Sequence, residues 1–318
     1  MPPVTSRDST AVCQVRFGGA AAAVESAGEW PALRVSVAPL GPETAESLVP
    51  EAEAPAMREG VHLFQSAQLT GGFVVAPAGL ALEAATDHCY RKLFAATDGL
   101  HLYRLWNYVP HINGSEDHLE NYRHFCRARS LAFEARLGRH FQPLLPASSA
   151  VGAVAGPLAV AFVAGPTAGR HFENPAQVPA FDYPPEHGPR PPSFSRATVA
   201  TTPDCTHVFI SGTAAIRGHG TVAPGDLDAQ LECTLDNLGL IGEAAGVGAA
   251  LGAEPAWQRR FKVYLRHAAD LARAVPKLER RLFRPRDQVV YLHADICRAE
   301  LVIEIEASLS RPRPAGAD

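Results

Sequence analysis

The chain has 318 residues, 29 basic and 33 acidic, for a formal charge of −4 with the histidines neutral. At 47% hydrophobic and 19% charged it has ordinary globular composition, which excludes a disordered chain, and its length fits one or two domains of roughly 150 residues. A mildly acidic balance without a basic run offers no footprint for nucleic acid or an anionic membrane surface. Residues 11–17, 33–37, 62–65 and 72–76 read as short strands punctuated by Pro and Gly. Leu80, Leu82, Ala85, Cys89 and Leu93 recur at helical spacing and predict a helix over 80–96. A strand over 100–108 is closed by Pro110, and Leu119, Tyr122, Phe125, Arg129, Phe133 and Leu137 predict a second helix over 116–137. The most apolar stretch, 147–165, is interrupted by Gly152, Gly156 and Pro157, so it reads as two buried strands and a turn; a bilayer span needs about 20 apolar residues. The proline-rich stretch 166–197 reads as a long ordered loop. Beyond it come a strand at 208–210, a helix over 226–245 with Asp226 or Asp228 near its N-cap, a strand at 261–265, a helix over 268–282, and closing strands at 289–295 and 301–307. The polar tail from Arg311 is expected to fray. The order predicts an α+β protein of two halves, 1–145 and 146–318, each a mixed β-sheet with helices packed on one face.

Several common chemistries have no motif here. There is no G-x-x-x-x-G-K-[ST], no G-x-S-x-G and no H-E-x-x-H. Gly246, Gly248 and Gly252 have the wrong spacing for a dinucleotide loop and follow a helix rather than a strand. His219, between Gly218 and Gly220, reads as a turn or packing residue rather than a ligand. The six cysteines (13, 89, 126, 205, 233 and 297) stand singly, with no C-x-x-C pair, which predicts reduced thiols in a cytoplasmic protein. The first residues show no signal sequence. Chemistry without a metal or a cofactor is the expectation.

Three places set Tyr near Arg in apolar surroundings: Tyr103 with Arg104, Tyr122 with Arg129 two helical turns apart, and Tyr183 with Arg190 and Arg196. A guanidinium fork matches a carboxylate, and tyrosine adds a hydroxyl at low entropy cost, so two such pairs suit the two carboxylates of one small acid. Taken singly, each is more often a solvated residue or an ion-pair partner. Near the C-terminus Glu304 and Glu306, two apart, share one face of a strand. Either they are surface charges, or one faces a closed pocket where burial raises its pKa and suits it to proton transfer. Cys297 meets them only if the turn signal at 297–300 breaks the strand; otherwise it is a small buried apolar residue.

Residues 207–307 resemble the Rid (reactive intermediate deaminase) fold in Ser211-Gly-Thr213, Gly225-Asp226, Gln230, Asn237-Leu238 and Val302-Ile-Glu-Ile-Glu306. More of the chain, about 60–307, resembles the chorismatases, a branch built on that fold. The resemblance lies in Tyr103-Arg-Leu-Trp-Asn-Tyr-Val-Pro-His-Ile-Asn113, Asn121-Tyr-Arg-His-Phe-Cys-Arg-Ala-Arg129, Asn174-Pro-Ala-Gln-Val-Pro-Ala180, Gly188-Pro-Arg-Pro-Pro-Ser-Phe-Ser-Arg-Ala197 and Ser211-Gly-Thr-Ala-Ala-Ile-Arg-Gly-His219, in that order. It implies two Rid-like halves and an enzyme that consumes chorismate without metal or cofactor. Substrate-binding roles fall on Tyr122, Arg129, Tyr183 and Arg196, and the acid/base role on Glu304. Protonation of the enolpyruvyl methylene then gives an oxocarbenium ion. Water captures it to give pyruvate and a dihydroxycyclohexadiene acid, or the ring rearranges with loss of pyruvate to 3-hydroxybenzoate. In the family a late cysteine with a glycine after Ser-Gly-Thr accompanies the hydroxybenzoate route, and an aliphatic residue with alanine accompanies hydrolysis. Here Cys297 stands with Ala214, a mixed pair. The cysteine weighs more, because a thiol takes part in proton traffic while a methyl alters only shape. Ala176 stands where the family often has arginine, and no role is assigned there. The expectation is a monomeric 3-hydroxybenzoate-forming enzyme, with hydrolysis as the alternative and a non-catalytic Rid-type binder of small acids as the reading from another class.

Overall fold

The computed structural model describes residues 13–27, 30–49 and 52–314. The predicted residues 11–12 and the end of the tail, 315–318, lie outside the described residues. Among the described residues there are four α-helices: α1 (Leu82–Ala96), α2 (Asn121–Leu137), α3 (Leu227–Ala244) and α4 (Leu271–Arg281). No helix among the described residues is long and apolar enough to cross a membrane.

Two mixed sheets carry the fold. The first runs Ala147–Ala153, His101–Pro110, Ala159–Gly165, Thr70–Val75, Val61–Gln65, Ala54–Arg58. The second runs Arg170–Phe172, Ala197–Thr201, Cys205–Ala214, Ile303–Pro312, Gln258–Leu265, Gln288–His293, Ala38–Pro39. Each contains a single parallel pair, His101–Pro110 with Ala147–Ala153 and Gln258–Leu265 with Gln288–His293. Parallel neighbours need a crossover, and α2 and α4 supply them. A smaller four-stranded sheet is built from residues 14–17, 23–27, 30–35 and 45–47.

Strand alternation fixes the layers. On the strand Ile303–Pro312, Ile303, Ile305, Ala307 and Leu309 pack in one core with Leu231 and Leu238 of α3 and Ala274 and Leu278 of α4. On His101–Pro110, Leu105 and Val109 pack beneath Cys89 and Leu93 of α1 and Phe125 and Phe133 of α2. The opposite faces meet each other: Trp106, Tyr108 and Ala161 of the first sheet share a core with Phe209, Tyr264 and Leu292 of the second. The order is helices, sheet, sheet, helices, with a continuous interior between the sheets. Polar residues turned inward from either sheet must find partners in that interior.

The predicted helices over 80–96, 226–245 and 268–282 are present, and Asp226 caps α3 by accepting from the backbone N–H of Asp228 and Ala229. The stretch 147–165 forms two buried strands as predicted. The second helix starts at Asn121, not 116, because Ser115–Glu116 and Leu119–Glu120 pair in a hairpin. Asp117 and His118 turn that hairpin at φ 47 and 63, the left-handed pair a two-residue turn requires. The last strand continues to Pro312, past the predicted 307, because it has neighbours on both sides along that length. The expected boundary at 145/146 falls before the strands at 147–153 and 159–165, which pair in the first sheet, while Ala38–Pro39 from the first part of the chain joins the second. The parallel pairing across α2 draws Ala147–Ala153 back beside His101–Pro110, and Ala159–Gly165 then pairs antiparallel with that strand and with Thr70–Val75.

Candidate active site

Glu304 and Glu306 both point into the layer between the sheets, 3% and 2% exposed. Glu306 is surrounded by donors. It pairs with Arg104 Nη2 and Lys262 Nζ at 2.8 Å each, and accepts from Trp106 Nε1 at 2.6 Å and Tyr264 Oη at 3.2 Å. Lys262 also pairs with Glu46. Burial alone would raise the Glu306 pKa, but the Lys262 and Arg104 charges outweigh it and hold the carboxylate below its ordinary value.

Glu304 lies opposite Ala214 on one neighbouring strand and Tyr264 on the other. The Cys205–Ala214 strand shifts register between Ile210 and Thr213, and Gly212 falls in that bulge. A Cβ at Gly212 would collide with the Glu304 carboxylate, so only glycine leaves room for it. The Gly212 N–H is spent on Ser149 Oγ at 2.9 Å, and Glu304 Oε1 has no protein hydrogen-bond partner. Burial first, and then the nearby Glu306 charge, push the Glu304 carboxyl up to about 8, with Arg104 and Arg196 pulling the other way. At neutral pH Glu304 therefore carries a proton while Glu306 does not. Such a separation between close carboxyls marks an acid and its electrostatic neighbour.

Glu304 lines a cavity of about 460 Å³, and so do Tyr122, Arg129, Tyr183, Arg196, Ala214 and Cys297. The seven residues to which the sequence reading attached catalytic, binding or selecting roles thus meet in one place. Arg129, 1% exposed on α2, donates from Nη1 to Ser148 Oγ at 3.3 Å and lies over the Phe125 ring at 5.1 Å. Arg196 donates from Nη2 to Tyr183 Oη at 2.8 Å and lies over Phe194 at 5.0 Å. The Nε of each arginine is buried without a protein acceptor. Two guanidiniums with unspent donors are what a small dianion would satisfy. Glu173 Oε2 approaches Arg196 Nε to 3.9 Å, but burial pushes the Glu173 carboxyl up to about 7 against the pull of Arg196, so it does not fully cancel that charge. Burial also raises the Tyr122 phenol well above its usual value, leaving a neutral hydroxyl in the wall.

Residues 49–164 match the family model for the N-terminal part of FkbO/Hyg5-like chorismatases. A 3-hydroxybenzoate synthase of Streptomyces hygroscopicus is 37% identical over 244 residues, 73% of this chain and 71% of that protein. A chorismatase of Streptomyces rapamycinicus is 37% identical over 259 residues, 78% and 76% of the two chains. The chain belongs to the chorismatase family. A crystal structure of a chorismatase matches it with a TM-score of 0.82 at 30% identity, over 96% of this chain and 95% of that one.

In this chorismatase cavity Cys297 and Ala214 form wall beside Glu304. A turn closed by Leu301 N–H to Arg298 O at 3.1 Å separates Cys297 from the strand that begins at Ile303, which brings the thiol to the side of Glu304. Burial, followed by the Glu304 charge, pushes the Cys297 thiol up to about 12, with Arg298 and Arg196 pulling it down, so it is a thiol and not a thiolate. Three of the sequence candidates serve elsewhere. Tyr103 Oη donates to Thr167 O at 2.5 Å, and Arg104 is committed to Glu306 and, at 2.5 Å, to Ser149 Oγ. Arg190 donates to Glu134 Oε2 on α2 at 2.5 Å, which pins the proline-rich loop over the cavity. That stretch is ordered as predicted, and it also holds the edge strand Arg170–Phe172 and short 3₁₀ turns at Ala180–Asp182 and Pro185–His187.

Several wall residues escaped the sequence reading. Arg298 lines the cavity, lies over the Tyr183 ring at 5.4 Å and donates to His219 O at 2.8 Å. Its place next to Cys297 was the available signal. Ser149, Phe194 and Gly212 also line the cavity, and nothing in their spacing distinguishes them from other residues of their strands and loops.

Proposed function

We propose that the protein converts chorismate to 3-hydroxybenzoate and pyruvate. The observation that carries this is a buried carboxyl, Glu304, with one oxygen unpartnered, at the wall of a cavity that also holds two buried guanidiniums with unspent donors; burial beside Glu306 favours its protonated form. The names of the relatives, a 3-hydroxybenzoate synthase and chorismatases, point to the same substrate. Arg129 with Tyr122 and Arg196 with Tyr183 bind the ring and enolpyruvyl carboxylates. Glu304 gives its proton to the enolpyruvyl methylene, and the carboxylate left behind stabilises the oxocarbenium ion that forms. The ether bond to the ring then breaks with its electron pair going to oxygen, which completes pyruvate. The adjacent ring hydroxyl oxygen closes on the ring carbon left behind and gives up its proton to Glu304. In the final step the oxygen of that strained ring takes up a proton as its bond to the neighbouring carbon breaks, and the carbon that keeps the oxygen loses its own proton, which returns to the carboxylate and leaves the aromatic product. The two products together have the composition of chorismate, so this route consumes no net water. Cys297 acts as a neutral thiol in the wall, relaying a proton and keeping water from the cation.

Hydrolysis to the non-aromatic diol is the second reading, favoured by Ala214 beside Glu304. Incubating pure protein with chorismate and following pyruvate and the aromatic product separates the two. Equal pyruvate and 3-hydroxybenzoate is expected; pyruvate without an aromatic product establishes hydrolysis, and no pyruvate at all ends both readings. The seven residues come from one chain, so the same reading takes a monomer as the working unit, and sedimentation of the active enzyme checks it. All six cysteines are free, which fits a cytoplasmic location.

A further inference from the structure

A second cluster of donor atoms meets at the rim of the cavity, away from Glu304. Glu186 and His187 lie in the 3₁₀ turn Pro185–His187 of the proline-rich loop. His219 stands at the tip of the hairpin formed by Ile216–Arg217 and Gly220–Thr221, a turn residue as its glycine neighbours predict. His187 Nε2 is 3.0 Å from His219 Nδ1. Glu186 Oε1 is 3.6 Å from the first nitrogen and 3.5 Å from the second. A point equidistant from three atoms so spaced lies about 2.0 Å from each, within the range of zinc bonds to imidazole nitrogen and carboxylate oxygen, about 2.0–2.2 Å. A hydrogen bond between the two imidazoles accounts for one edge of this triangle. It does not account for a carboxylate oxygen held at matching distance from both nitrogens.

We propose that Glu186, His187 and His219 form a binding site for a divalent transition-metal ion of the zinc class at the mouth of the cavity. Two imidazoles and one carboxylate suit zinc, cobalt or nickel; calcium and magnesium require more oxygen. Upstream of that turn, the same loop is tied to the hairpin by backbone bonds, Val178 N–H to Gly218 O and Gly218 N–H to Ala176 O at 2.9 Å each. The two imidazoles are therefore already within reach of each other, and the exposed Glu186 carboxylate is the donor that the ion would order. The His187 ring lies 5.1 Å from that of Tyr183, which restrains it further. Arg298 and Arg123 are the cations that face the cluster, and Arg123 is partly offset by Glu120 at 3.6 Å. Their repulsion makes the site exchangeable rather than structural. Three protein donors leave a fourth tetrahedral position for water or a carboxylate. Glu186 and His187 also line the cavity, so an ion here clips the loop carrying Tyr183 to the hairpin that follows Ala214 and narrows the entrance.

The test uses the whole protein, stripped with a chelator and titrated calorimetrically with zinc chloride. The parallel probe is the visible spectrum with cobalt(II). One zinc per chain is expected, with a tetrahedral cobalt spectrum. His219→Ala and His187→Ala should each weaken binding at least tenfold and abolish that spectrum while circular dichroism shows the fold intact. Isotherms unchanged by either substitution would assign the zinc to thiols elsewhere and overturn the site, as would the absence of binding to the unsubstituted protein. Zinc should also slow pyruvate release by the unsubstituted enzyme and have less effect on His219→Ala. A protein that binds zinc at this triad but releases no pyruvate would refute the proposed reaction and leave the metal site standing.

Discussion

Glu304 and Glu306 are two residues apart on one strand, on the same face, and equally buried, yet their surroundings oppose each other. Around Glu306 every approach is filled by a donor, from Trp106 and Arg104 of the first sheet and Lys262 and Tyr264 of the second. Around Glu304 the bulge at Gly212 and the cavity leave one oxygen without a partner. The filled pocket keeps an anion, and the open one keeps a proton. Each condition sustains the other, because the fixed charge of Glu306 raises the cost of ionising Glu304.

The largest expected effect tests the open side. Glu304→Gln removes the donated proton and should lower turnover about 10²–10⁴-fold, measured by pyruvate release; near-normal turnover would reassign the acid. On the filled side, Glu306→Gln strips Arg104 and Lys262 of their shared partner and should cost about 3–5 kcal/mol of folding stability. In whatever fraction folds, the positive charge left beside Glu304 lowers its pKa, so the alkaline limb of activity moves to lower pH. A limb that stays in place would break the link between the two carboxyls. Arg129→Lys and Arg196→Lys lose the planar fork, with an expected fall in kcat/KM of about 10–100-fold each, one charged hydrogen bond being worth about 1.5–3 kcal/mol.

Titration sharpens the contrast at smaller cost. Glu304 acts in its protonated form, so activity should decline as pH rises through about 8. Its carboxyl is raised in the folded state, so the matching stability is present at low pH and is lost as pH climbs from the ordinary carboxyl range through about 8. Melting curves of Glu304→Gln should lack that part of the loss. The smallest effect is on product identity: Cys297→Val should shift product toward the diol with little change in total pyruvate, and an unchanged ratio would remove the thiol as selector.

Local pattern made much of this legible. The helical spacing of Leu82, Ala85, Cys89 and Leu93 located α1, and the Tyr–Arg pairs at 122/129 and 183/196 marked the cavity wall. The pair at 103/104 looked alike in sequence and proved to be interior structure, because its arginine faces Glu306. Chain order could not foresee that the strands at 147–153 and 159–165 return to the first sheet, since that depends on a crossover through α2. Nor could it separate the two glutamates, whose identity, strand and face are the same.

By itself the sequence determined the α+β pattern of elements, the seven candidate residues and the resemblance that gave them roles. Tertiary structure alone decided what surrounds each glutamate, that Arg129 and Arg196 line the cavity while Arg104 pairs with Glu306, and that Glu186 and His187 meet His219 at the cavity rim. The physical reason is that periodicity is a property of neighbours along the chain, whereas the energy of a charge depends on groups far along it, as Trp106 donates to Glu306 across 200 positions.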